Sequence, residues 1–247
     1  MAYPCRYSDL IHRFHRSVPE LSMISNTVLD TVYYLHHLRL TTWNDQLLSP
    51  VQLQQYAEAI YNKGSPLNNC FGFVDGTVPP ICRPGVHQRI VYNGHKRVHA
   101  IKFQSVVVPN GMVANMYGPV EGRKHDSGML KDSGLLQSLQ QHAFGPTGQP
   151  MALYGDPAYP LRVHLQVPFR NGTGGLTPDM EAFNEGMSAV RSSVEWLFGD
   201  ILKSFKFLDF KKNLKISLSS VGKMYLVSAI FDFFYCDPPT LQQYLIT

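Results

Sequence analysis

The sequence predicts an α/β layered domain built on a mixed sheet, and three observations carry that expectation. Between Cys70 and Tyr117, short β-rich runs follow one another with glycine and proline between them, as adjacent strands do. From Thr177 to Phe205, apolar residues recur at Met180, Phe183, Met187, Val190, Val194, Leu197, Ile201 and Phe205. That three-and-four spacing is one buried helical face. Between these two stretches, short apolar runs alternate with helical sequence, an order that stacks helices on a sheet.

A chain of 247 residues forms one large domain, or a main domain with a smaller appendage, and can bury a real core. The net charge of +4 and the pI near 8.8 lean mildly towards an anionic partner. Cys5, Cys70, Cys82 and Cys236 are scattered, with neither a CxxC pair nor zinc-ligand spacing. They read as reduced cysteines of an intracellular protein. The first residues lack the apolar core of a signal peptide. The most apolar segment, Met224 to Tyr235, is interrupted by Asp232 and too short to span a bilayer. A membrane partner is therefore not expected.

Residues 1–64 read as a helical region that docks on the main domain. Ser17 and Glu20 form a capping box with Pro19 in the first turn, and Leu21, Ile24, Val28, Leu29 and Val32 continue at helical spacing. Ser49-Pro50 opens another helix through Leu53, Tyr56, Ala57 and Ile60, closing near Lys63-Gly64. Residues 70–236 then make the main domain. Phe71 to Val78 is its first strand, Val98 to Val108 and Met112 to Tyr117 the next two, and Pro109-Asn110-Gly111 the hairpin turn between them. A helix is expected through Leu130, Leu135, Leu136 and Leu139, a fourth strand over Met151 to Asp156, and a fifth at Leu165 to Phe169. The Asn171–Gly175 loop leads to the long helix, which Thr177-Pro178-Asp179 caps, and a last apolar helix spans Leu218 to Tyr235.

Four acids stand at the edges of these elements. Asp75 ends the first strand, Asp126 begins the helix after the hairpin, Asp156 ends the fourth strand and Glu195 rides the long helix. On that helix Asn184, Ser188, Arg191 and Glu195 share an arc of about 60°, roughly a quarter-turn from the apolar face. Each acid has a plainer reading. Asp75-Gly76 suits a turn, Asp126 an N-cap, Asp156 a turn before proline, and Glu195 an ion pair with Arg191. Together they suit a hard divalent cation such as Mg²⁺ or Mn²⁺, which needs carboxylate oxygens converging from distant parts of a chain. Such a site serves phosphodiester chemistry by activating the attacking water and stabilising the leaving oxygen.

Four motifs in series carry a family resemblance. They are Phe73-Val-Asp-Gly-Thr77, Gly118-Pro-Val-Glu-Gly-Arg-Lys-His-Asp-Ser127, Leu153-Tyr-Gly-Asp-Pro-Ala-Tyr-Pro160 and Asn184 followed by Arg191-Ser-Ser-Val-Glu-Trp-Leu-Phe-Gly199. Over about residues 70 to 235 the chain resembles the PIF/Harbinger-type DDE transposases, including their domesticated nuclease-like derivatives. The resemblance implies an RNase H-like, five-stranded mixed sheet flanked by helices, with Asp75, Asp156 and Glu195 as catalytic carboxylates binding two metals. It makes Asp126 an auxiliary metal contact, and Arg191 and Asn184 become groups that orient Glu195. The spacing from Asp156 to Glu195 exceeds the family's usual gap, and the Asn171–Gly175 loop absorbs the excess. Family members normally carry further helical chain before the point where this sequence begins, so a truncated N-terminal region is expected.

The implied activity is metal-dependent cleavage of DNA, followed in a full transposase by attack of the freed 3′-hydroxyl on target DNA. Lys96, Arg97, Lys102, Arg123 and Lys124 lie close in sequence to the acids and are candidate phosphate contacts. The histidines His87, His95, His99 and His125 match no familiar zinc spacing. The resemblance also implies a Myb/SANT-like partner protein that supplies DNA binding and nuclear import, hence a nuclear location, or a cytoplasmic one without that partner. It leaves room for an oligomer. The alternative reading is a truncated or domesticated module that binds DNA or protein without cutting.

Overall fold

Short β-rich runs and long amphipathic helices arrange themselves into three layers, with a mixed sheet between two sets of helices. The computed structural model describes residues 6–172, 175–209, 211, 214–216 and 218–235, and the side chains of 193–203 and 232–235 lie outside that description. The sheet is built from β1 (Cys70–Thr77), β4 (Ile101–Val107), β5 (Val113–Glu121), β6 (Ala152–Tyr154) and β7 (Leu165–Gln166), in the order β5-β4-β1-β6-β7. Strands β1, β4 and β5 are antiparallel neighbours, whereas β6 and β7 run parallel to β1. A separate two-stranded ribbon, β2 (Tyr92–Asn93) with β3 (Val98–His99), projects between β1 and β4 in sequence. This is the RNase H-like mixed α/β fold expected from the sequence.

Each face of the sheet has its own core. On one face Phe73, Phe103 and Tyr154 pack with Met187 and Val190 of α8 (Pro178–Ser204) and with Tyr225, Leu226 and Ile230 of α9 (Val221–Tyr235). On the other, Phe71, Val74, Val106 and Leu153 pack with Leu53 and Ala57 of α4 (Pro50–Asn62), Leu130 of α6 (Asp126–Ser133) and Leu139 of α7 (Leu135–His142). The remaining helices are α1 (Tyr7–Phe14), α2 (Val18–His36), α3 (Leu38–Thr41) and α5 (Gln88–Val91). Asp30 of α2 is ion-paired with Lys223 of α9 at 2.7 Å, and Leu40 of α3 joins the first core. Among the described residues no helix is long and apolar enough to cross a membrane.

Caps explain the helix starts. The Ser17 hydroxyl accepts from the Glu20 N–H while the Glu20 carboxylate accepts from the Ser17 N–H at 2.9 Å, a complete capping box. Ser49 and Thr177 accept from the N–H groups of Gln52 and Met180. Several elements are shorter than their sequence pattern predicts, among them the fourth strand, which runs only over Ala152–Tyr154. The helix through Leu130 to Leu139 breaks into α6 and α7 at Gly134, whose φ of +67° stops the first turnwise run. The Val98–Val108 run divides at Ala100, which pairs with Pro80 instead. Strand β7 ends at Gln166 because Pro168 has no N–H for a ladder.

The centre of the sheet is packed to the atom. A Cβ on Gly72 would lie 2.6 Å from the Val107 carbonyl oxygen and 3.3 Å from a Leu153 methyl. Gly72→Ala is therefore expected to destabilise the fold by about 1–3 kcal/mol, measured by denaturant unfolding. An unchanged midpoint would show that the central strands are looser than described.

Candidate active site

The parallel pairing of β1 with β6 sets Phe73 opposite Tyr154, their rings edge to face at 6.4 Å. Asp75 and Asp156 each lie two residues beyond that pair: Asp75 is still within β1, on the Phe73 face by period-two alternation, whereas Asp156 lies past the end of β6. Asp75 and Gly76 belong to the strand itself, paired with Ser105 and Gln104 of β4, so they are not a turn. Asp156 does make the turn its proline suggested, for its Oδ1 accepts from the Ala158 N–H at 2.9 Å.

Helix α8 crosses the same face. Phe183 meets the Tyr154 ring, Met187 and Val190 enter the core, and Arg191 reaches the strand end. The Arg191 Nη2 donates to Asp75 Oδ1 at 3.1 Å, both side chains being largely buried. The described partner of Arg191 is thus an aspartate on the sheet. Glu195 lies one helical turn further, about 6 Å along the axis, and its side chain falls outside the described residues. Asn184, expected to orient Glu195, is committed elsewhere. Its amide accepts from the Phe169 N–H at 2.9 Å and donates to the Phe169 carbonyl at 3.0 Å, tying the chain after β7 to α8.

Asp126 arrives from the opposite face of the sheet. It is the first residue of α6, and His125, not Asp126, takes the N-cap position. Its carboxylate lies against Gly76, where a Cβ would stand 2.2 Å from Asp126 Oδ1. The glycine after Asp75 therefore serves close approach. The Lys102 ammonium stands 2.8 Å from the same oxygen. That contact is an ion pair without hydrogen-bond alignment, so Asp126 Oδ1 is buried with no hydrogen bond, while Lys102 donates to the Lys124 carbonyl at 3.0 Å.

The three aspartates share one electrostatic environment. Burial pushes the Asp75 carboxyl above its ordinary range; Arg191 and the Gly76 N–H pull it down, and the charges of Asp156 and Asp126 push it up again. Among the described residues, Gln104 Oε1, Ser105 Oγ, Asp126 Oδ1 and Tyr159 Oη are buried without a hydrogen-bond partner, Asp126 Oδ1 being ion-paired with Lys102. Two of them belong to the β4 residues paired with Asp75 and Gly76.

A family model described as DDE superfamily endonuclease matches residues 74–231, well over half of the chain. The chain belongs to the DDE superfamily endonucleases. Asp75, Asp126, Asp156 and Glu195 all lie inside the matched region. No curated protein and no solved structure matches the chain. DDE superfamily endonucleases are nucleases whose substrate is DNA and which typically use divalent metals.

Among the described residues, no group of three or more His, Cys, Asp or Glu side chains stands close enough to hold a metal ion. The donor chemistry of this DDE endonuclease nevertheless fits a hard cation. Three carboxylates share one field, one has a buried oxygen without a hydrogen bond, and one is held above its usual range. Of the expected phosphate contacts, Lys96 and Arg97 are exposed at the tip of the β2–β3 ribbon. Arg123 is exposed but ion-paired to Glu121 at 3.2 Å, and Lys124 is paired with Asp132. Lys102 departs from its expected role. Only 6 % of it is exposed and it faces Asp126; the sequence clustering of basic residues hid that β4 is an inner strand buried along its whole length.

Tyr159 and Ser105 escaped the sequence reading. Tyr159 sits inside the Leu153–Pro160 motif, and its position three residues after Asp156 was the available signal. Ser105 becomes visible only through the register that pairs it with Asp75.

The Asp75 shift fixes the sign of a pH effect. A raised folded-state value means that the folded chain holds this proton at a pH where the unfolded chain has lost it. This contribution to stability is therefore fully present below the ordinary carboxylate value and is lost as pH rises from there through the raised value. Melting temperature without divalent cations should fall across that window in the wild type and fall less in Asp75→Asn. Parallel profiles for the two proteins would refute the assignment.

Proposed function

We propose that this chain is a PIF/Harbinger-type DDE nuclease or transposase catalytic domain that cleaves DNA phosphodiester bonds with Mg²⁺ or Mn²⁺. The observation that carries the proposal is the parallel register that pairs Phe73 with Tyr154, two residues before Asp75 and Asp156, together with Arg191 of α8 on Asp75. In this reading residues 70–236 are the catalytic domain and residues 1–64 a helical region docked on it.

Asp75, Asp156 and Glu195 would hold the cation, with Asp126 as an auxiliary contact from the opposite face. The bound cation would supply an activated water and neutralise charge on the phosphoryl group. The chain's own residues do the rest. Arg191 holds Asp75 in place, Gly76 admits Asp126 to the strand end, and Asn184 fixes the approach to α8.

The test is nicking of plasmid or oligonucleotide DNA with Mg²⁺ or Mn²⁺. Asp75→Ala, Asp156→Ala and Glu195→Ala should each reduce the rate at least about a hundredfold, since a catalytic cation supplies several kcal/mol of charge stabilisation. Undiminished cleavage in these variants would sink the proposal. A second reading, a module that binds DNA or protein without cutting, is favoured by one observation: Asp75 and Asp126 already carry counter-cations in Arg191 and Lys102. Tight DNA binding with no metal-dependent nicking by a folded sample would select it.

The proposal extends to a nuclear location, reached with a Myb/SANT-like partner, and to a cytoplasmic one without it; an oligomer fits the same reading. DNA contact is assigned to the ribbon tip. Lys96→Ala with Arg97→Ala should weaken DNA binding equally across sequences and reduce the slope of log affinity against log salt by about 1–2. An unchanged slope would place the phosphate contacts elsewhere.

A further inference from the structure

Helix α2 packs on the first core through Val32 and Tyr33, and two contacts to Lys223 of α9 pin it there. The Lys223 ammonium pairs with Asp30 at 2.7 Å and stands 5.3 Å from the centre of the Tyr33 ring. With that face fixed, the other looks outward. It carries Met23, Ile24, Val28, Thr31, Tyr34 and Leu35, all exposed. At about 100° per residue these six share an arc of about 140°. Tyr34 is 79 % exposed and Met23 68 %.

A solvated helix face is ordinarily charged or polar. This one is apolar and carries no charge. Asp30 is the only Asp, Glu, Lys or Arg between Leu21 and Leu38, and it turns to Lys223. The spacing is specific too. Ile24, Val28, Thr31 and Leu35 follow one another at four, three and four residues, the repeat of a seam between two helices. The bulky Ile24 and Leu35 stand at the ends of that seam, and the smaller Val28 and Thr31 stand between them.

We propose that α2 pairs antiparallel with α2 of a second copy of this chain. With the two-fold axis between Val28 and Thr31, Ile24 lies against Leu35 of the copy and Val28 against its Thr31. Large side chains then meet at both ends, and small ones meet in the middle, where the helices approach most closely. A two-fold repeats every charge of one face on the other. In a chain of net charge +4, an uncharged face is the part that meets its own copy without repulsion. A partner chosen by charge would find nothing to match here. Area agrees with a second copy. The six side chains expose roughly 700 Å², and with Thr27 between them and Leu38 after them they reach the about 800 Å² per partner of a standard interface. The inference stands apart from the metal-dependent reading, because α2 contributes no residue to the candidate cation site.

The experiment is sedimentation velocity of the full-length chain over a micromolar concentration series, with helix content checked by circular dichroism. The wild type should show a reversible species of twice the 27.9 kDa chain mass. Ile24→Lys and Leu35→Glu should each weaken the dimer at least about a hundredfold, since each puts an unpaired charge into an apolar seam. In the double variant the new ammonium of one copy faces the new carboxylate of the other, and the dimer should recover by at least about tenfold. Tyr34→Ala trims the seam without adding charge and should weaken the dimer about tenfold, which keeps the test open if a charged variant loses helix. A wild type that stays monomeric overturns the proposal, even if another protein binds the face. A dimer that Tyr34→Ala and both single charge variants leave intact overturns it as well. Failure of the double variant to restore the dimer also overturns it, because a parallel pair would set like charges together.

Discussion

Parallel pairing between β1 and β6 is the constraint on which the rest of the strand-end arrangement depends. Strands seventy or more residues apart have no local reason to meet, and a slip of one residue would send Asp75 and Asp156 to opposite faces. Burial fixes the register. Phe73 and Tyr154 must enter the core under α8, while Val74 and Leu153 enter the core on the other side. Once those apolar residues are placed, the aspartates following them have nowhere else to go. Hydrophobic burial thus delivers two like charges to neighbouring positions that electrostatics alone would keep apart.

Glycines solve the geometric problem that follows. Strand ends carrying bulky side chains on both faces would shield the acids from each other. Gly76 and Gly155 each follow the alternation to the face away from α8, and each leaves a gap that a specific side chain enters. Asp126 enters beside Gly76 and Tyr159 beside Gly155. Groups from both layers of helices and turns therefore reach one edge of the sheet. Substituting either glycine would press on the functional groups before it pressed on the core.

Periodicity and caps made much of this legible before any coordinates. The long helix from Thr177, the capping box at Ser17 and the hairpin at Pro109–Gly111 all follow from local patterns that tertiary packing reinforces, whereas Asp75, expected to end its strand, lies inside β1, and Asp156 lies in the turn after β6. What could not be read depended on pairing across the chain. Arg191 falls on the same helical arc as Glu195, and nothing in one helix tells that its guanidinium crosses to Asp75. Lys102 reads as surface because its neighbours in sequence are basic, yet its place in β4 turns it inward to Asp126. Asn184 holds Phe169 because of a loop path that no spacing encodes. The Glu195 side chain lies outside the described residues, so its expected convergence with the aspartates stands as part of the proposal.

The two inward cations explain how a cluster of acids can exist in a folded chain at all. Each carboxylate brought to this edge loses water, and its neighbours add repulsion. Arg191 and Lys102 offset part of that penalty from opposite faces, one on Asp75 and one on Asp126. A pair of this kind need not stabilise the fold relative to an apolar pair, but removing one member strands a buried charge. Burial pushes Asp75 up first, and Arg191 in contact with it pulls it down. At the ends of these inner strands, Arg191 and Lys102 are thus the described cations that hold Asp75 and Asp126 in a buried setting, and the loss of either would leave its aspartate there without that partner.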